Sequence, residues 1–73
     1  MRERIKDILK ETFDLDEVPE DITQETCADW DSLRHLHLII GLETEFNVSF
    51  EPEDIADMKS LDKIENKIKD LQE

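Results

Sequence analysis

Residues 30–46 read WDSLRHLHLIIGLETEF, and this stretch decides the fold. Asp31 is a good N-cap residue, so a helix is predicted to start at Ser32 and run to about Asn47. At about 100° per residue, Leu33, Leu36, Leu38, Ile39, Ile40, Leu42 and Phe46 cover more than half of its circumference. A helix this apolar is expected at the centre of a bundle, not at its edge. The stripe that remains is Arg34, His37, Gly41, Thr44 and Glu45. Gly41 in mid-helix costs about 1 kcal/mol against alanine. A close backbone approach, to a neighbour or to a docking partner, is one reason to keep it. Ser32 falls in the first turn with its hydroxyl outward. Free N–H groups and the positive end of the helix dipole make that a favourable place for an attached phosphate.

Upstream, Ile5, Ile8, Leu9, Thr12 and Phe13 fall on one face of a helix predicted over about Arg2 to Phe13, with Lys6, Asp7, Lys10 and Glu11 mainly on the other. The connection from Asp14 to Asp31 is long for a small domain. Its isolated apolar residues, Leu15, Val18, Ile22 and Cys27, are expected to anchor it to the core. Its acidic run lacks the ligand spacing and central glycine of a calcium loop. Downstream, Pro52 suits the first turn of a short helix, with Glu51, Glu53 and Asp54 at its N-terminal end. Val48, Phe50, Ile55 and Met58 are expected to close the bundle there. Ser60 then caps a last helix to about Leu71, whose Leu61, Ile64, Ile68 and Leu71 form a single apolar seam.

Seventy-three residues suffice for one domain, spanning 1–73. The composition is poor in strand formers and rich in Leu, Ile, Glu, Lys and Asp, which predicts an all-α fold: a small four-helix bundle of three main helices and one short one. Nine basic residues against 21 acidic ones give a formal charge of −12. Such a chain repels nucleic acid and anionic membrane surfaces and prefers partners with basic surfaces. Cys27 is alone, so no internal disulfide forms. No apolar run is long enough to span a membrane and no signal peptide is read, so a cytoplasmic monomer is the expectation.

The D-S-L of residues 31–33, followed by the apolar helix and L-E-x-E-F at this position in a chain of this size, resembles the acyl carrier protein family. The resemblance covers nearly the whole chain. It implies that Ser32 carries 4′-phosphopantetheine within the Asp31-Ser32-Leu33 motif, placed there from coenzyme A by a phosphopantetheinyl transferase. It further implies that the arm's thiol carries an acyl group as a thioester to acyl-transferring or acyl-activating enzymes, as in fatty acid biosynthesis. Candidates to line an acyl cavity are Leu33, Leu36, Ile39, Ile40, Leu42 and Phe46, whose other role is core packing. Candidates for partner docking are Arg34, His37, Gly41 and Glu45. The chain departs from the family's usual pattern in two places. It reads A-D-W-D-S-L where L-G-A-D-S-L is usual, and Arg34 and His37 stand where acids are common. A specialised carrier fits these departures better than a general one. An aminoacyl or peptidyl carrier uses the same arm, and an unmodified acidic interaction module is the competing class.

Catalysis by Ser32 with His35 or His37 is not expected. There is no G-x-S-x-G elbow and little room for a cleft. A metal site is not expected either, because residues two apart on a helix diverge by about 200°. Trp30 is expected as a buried loop anchor.

Overall fold

The periodicity of the outer helices is realised directly. A computed structural model describes residues 1–72; Glu73, the last residue of the domain read from the sequence, lies outside the described residues. The helices are α1 (Arg2–Phe13), α2 (Ser32–Phe46), α3 (Pro52–Asp57) and α4 (Leu61–Gln72), and the described residues contain no strand. Helix α1 buries Ile5, Leu9 and Phe13, and α4 buries Leu61, Ile64 and Ile68. Helix α1 packs against both α2 and α4.

Local chemistry sets the helix ends. Asp31 accepts a 2.8 Å hydrogen bond from the Arg34 N–H at the head of α2. The Glu51 N–H donates to the Asp54 carboxylate at 3.2 Å at the head of α3, where Pro52 occupies the first turn. Ser60 Oγ accepts from the Lys63 N–H at 3.1 Å and caps α4. Helices α1 and α2 end on Asp14 and Asn47 in the left-handed conformation, φ 55° and 54°. Asp and Asn tolerate that region better than most residues.

The connection between α1 and α2 is pinned by its apolar residues: Val18, Ile22, Cys27 and Trp30 are buried, and Leu15 packs partly against the core. Two hydrogen bonds stitch it to the α3–α4 junction. The Gln24 N–H donates to the Lys59 carbonyl at 2.9 Å, and the Leu61 N–H to the Ile22 carbonyl at 3.2 Å. Thr23 and Ser60 pair there as an isolated antiparallel bridge.

Helix α2 differs from the expectation. It buries His35, Leu38, Ile39 and Leu42, which repeat as one helical stripe. Leu33, Leu36 and Ile40, spaced three and four apart, form the opposite stripe and are 64%, 52% and 60% exposed. The helix is central on one side only. A bundle whose α3 is six residues long has too little chain to cover the other side.

Arg2 joins three parts of this layout. Its guanidinium pairs with Glu65 and Asp62 of α4 at 2.9 and 2.7 Å and with Glu20 of the loop at 2.8 Å. Lys6 pairs with Glu20 as well. Arg2 holds the Glu65 carboxyl below its ordinary value of 4.5, and Lys6 together with Arg2 does the same for Glu20. A carboxylate whose folded-state pKa is lowered contributes stability that is complete above its unfolded value. That contribution is lost as the pH falls through the folded value. Arg2→Ala is therefore expected to melt a few degrees below wild type at neutral pH. The gap should close as the pH drops below 4.5. A gap in thermal melts that persists undiminished at about pH 2.5 would assign the effect to packing of the Arg2 stem and not to its charge.

Candidate functional site

Ser32 opens the first turn of α2, and its side chain is exposed. Its hydroxyl makes no hydrogen bond among the described residues. Asp31 turns the chain into the helix with extended backbone, φ −94° and ψ −179°, and its own carboxylate is occupied by the Arg34 N–H. The hydroxyl thus stands at a helix N-terminus with open space before it.

The floor beneath Ser32 is rigid, and the residue that makes it so is His35. The Trp30 indole Nε1–H donates to His35 Nδ1 at 2.9 Å. Nδ1 is therefore the unprotonated nitrogen, and Nε2–H donates to the Ile55 carbonyl at 2.7 Å. The indole also stacks on Phe13, ring centroids 5.0 Å apart. A continuous buried chain runs from the end of α1 through the loop and α2 to α3. Both imidazole nitrogens are engaged, so His35 cannot act as a base for Ser32. Among the described residues no side chain hydrogen-bonds the Ser32 hydroxyl, which is presented outward. His37, on the other side of the helix, is exposed. Among the described residues, no group of three or more His, Cys, Asp or Glu side chains is arranged to hold a metal ion.

The candidate docking stripe is divided by the structure. Arg34 is half-buried, and its Nη1 reaches the Thr12 carbonyl near the end of α1 at 3.4 Å. Glu45 faces Arg4 of α1 at 3.7 Å. A Cβ at Gly41 would lie 3.3 Å from Ile8 Cγ2, so the close approach that the glycine permits is to α1. Of the four, His37 alone projects without a contact to α1 among those described. The cavity candidates divide too. Ile39 and Leu42 are buried in the core and Phe46 is half-buried, but Leu33, Leu36 and Ile40 face outward and line no interior. The reason is the uncovered side of α2 described above.

A surface groove of about 350 Å³ begins at Ser32 and is lined by Gln24, His35, Leu36, Ala56 and Lys59 as well. No local signal marks Gln24 or Lys59 as neighbours of Ser32; the backbone stitching between loop and α3–α4 junction brings them there. The position of His35 was readable, because 35, 38, 39 and 42 share one helical face.

This arrangement defines a class: a four-helix bundle of acyl-carrier-protein type. The solution NMR structure of holo acyl carrier protein from Geobacter metallireducens matches it with a TM-score of 0.86 at 20% sequence identity, over 97% of this chain and 84% of that one. At that identity the likeness establishes the fold. No family model matches the chain, and no curated protein matches it in sequence.

Proposed function

We propose that this chain is an acyl carrier: Ser32 takes a 4′-phosphopantetheine arm from coenzyme A, and the arm presents an acyl group to partner enzymes. The observation that carries the reading is the free, exposed Ser32 hydroxyl behind the Asp31 cap, in a fold shared with a holo acyl carrier protein. The residues at the head of α2 fit the group. The hydroxyl is accessible, the helix N-terminus favours a phosphodiester, and none of the described residues competes for the oxygen. A phosphopantetheinyl transferase supplies the metal and the base. Ser32 Oγ loses its proton to that enzyme and displaces the nucleotide half of coenzyme A, leaving a phosphodiester. Once in place, the arm supplies a thiol on which the cargo is held as a thioester.

The chain's own residues hold the attachment point still and expose it. The Trp30–His35–Ile55 bonds fix the first turn of α2, so the arm's origin does not wander. Tethering then gives each docked partner a high effective concentration of cargo. Partners meet an apolar stripe, Leu33, Leu36 and Ile40, immediately beyond the attachment point, with His37 beside it. The surrounding acidic surface steers them by charge. The chain itself catalyses nothing in this reading. Among the described residues no helix is long and apolar enough to cross a membrane.

The test is intact mass. Wild type incubated with coenzyme A, magnesium and a broad-specificity transferase is expected to gain one phosphopantetheine unit, and Ser32→Ala none. Ser32→Ala should keep its melting temperature, since an exposed hydroxyl beside an intact cap adds little. A wild type that stays unmodified returns the chain to the class of acidic interaction modules.

A further inference from the structure

We propose that the arm has a resting place on this chain: a trough leading from Ser32 between the 14–31 loop and the α3–α4 junction, with Lys59 receiving the phosphodiester and Gln24 the arm's amides. This rests on the reading of Ser32 as the attachment point. The trough consists of two grooves that share Gln24 and Lys59. The first, of about 350 Å³, begins at Ser32 and has Leu36 and Ala56 in its lining. The second, of about 460 Å³, adjoins it at those two residues and is lined by Thr23, Ser60 and Lys63 as well. Its walls are fixed by the Gln24–Lys59 and Leu61–Ile22 backbone bonds and by the Thr23–Ser60 bridge.

Charge selects the ligand. On a chain of net charge −12, most accessible surface repels an anion. Lys63 is paired with Asp57 at 3.2 Å and Lys67 with Asp54 at 3.0 Å. Lys59 is exposed and makes no ion pair among the described residues. It is the cation of this trough left to meet a phosphodiester, and it lines the same groove as the serine that would bear one. His35, also in that groove, has both ring nitrogens engaged and offers no competing donor. Glu25 lines only the outer groove. It repels the phosphate there and sets the direction: phosphate near Ser32 and Lys59, neutral amides and thiol toward Thr23 and Ser60. Gln24 is half-buried, and its side-chain amide makes no hydrogen bond among the described residues. It offers the paired donor and acceptor that an amide matches. An exposed charge contact is weak, and that suits an arm that must leave for each partner.

The test places a paramagnetic label on the arm. Cys27 is buried, so a nitroxide maleimide reacts at the arm thiol of the modified protein. Mass must show one arm and one label. A chain that takes no arm fails the carrier reading and this proposal together. With the arm in place, amide signals of Gln24, Lys59 and Ser60 are expected to broaden more than those of His37, Ile40 and Thr44. In Lys59→Glu the excess should fall about threefold, and added salt should reduce it in wild type. Lys59 contributes only backbone bonds to the fold, which the substitution leaves in place. Broadening that is uniform, or centred on Ile40, or unchanged in Lys59→Glu overturns the resting place while leaving the carrier reading intact.

Discussion

Trp30→Ala is expected to remove about 3–5 kcal/mol of stability. A chain of this length has about 4–11 kcal/mol in total, so the variant should be largely unfolded on mild warming. The size of the effect follows from position. Trp30 is 2% exposed, stacks on Phe13 and donates to His35. Its removal empties the junction of α1, loop and α2 and leaves His35 Nδ1 without a donor. Trp30→Phe separates these effects. It keeps a ring against Phe13 and loses the indole N–H, for an expected cost of about 1–3 kcal/mol. His35→Ala orphans the indole N–H, leaves the Ile55 carbonyl with the Met58 N–H as its remaining donor, and should cost about 2–4 kcal/mol. Urea unfolding checks all three. Circular dichroism serves for the Trp30 variants, since Trp30 is the only tryptophan. Its fluorescence can follow the His35 variant. A loss below about 1 kcal/mol in both Trp30→Ala and His35→Ala would mean that the buried chain is not what holds the head of α2 in place.

Much of the scaffold was legible because its signals are local. Period specifies α1, period with a cap specifies α4, and Ser60, Asp31 and Pro52 stand where helix starts need them. The anchoring residues of the 14–31 loop were visible as isolated apolar positions in an acidic stretch. Helix α2 was harder for a physical reason. Seven apolar residues can be arranged around a helix without revealing which side finds neighbours. That depends on how much chain is left to cover it, and α3 turned out to be six residues. Leu33, Leu36 and Ile40 therefore read like Ile39 and Leu42 in sequence and part from them only in the fold. Gly41 shows the same limit: a close approach was foreseeable, but that it is to Ile8 was not. The groove beside Ser32 was not legible at all, because Gln24 and Lys59 meet only through tertiary hydrogen bonding.

The double change Leu33→Gln with Ile40→Gln is expected to leave the fold nearly untouched and to cripple transfer. Both side chains are exposed, so their loss removes no core contact, and glutamine is a good helix former. The melting temperature should stay within a few degrees of wild type. A docked enzyme that takes the arm from Ser32 must cover the first turns of α2, and the stripe there is apolar. An apolar anchor buried at the centre of an interface is worth about 2 kcal/mol or more. We therefore expect kcat/KM for an acylating enzyme to fall about 30-fold. Salt distinguishes this from steering by charge. The loss in the glutamine variant should persist at high ionic strength, because apolar contact is not screened. By contrast, the change brought by Arg34→Asp with His37→Glu should act on association rate and fade as salt rises. Arg34 is partly engaged with the Thr12 carbonyl, so that variant needs its fold checked first. If the glutamine variant is acylated at the wild-type rate at every salt concentration, partners dock elsewhere. The exposed leucines and isoleucine of α2 are then surface that the small bundle could not cover.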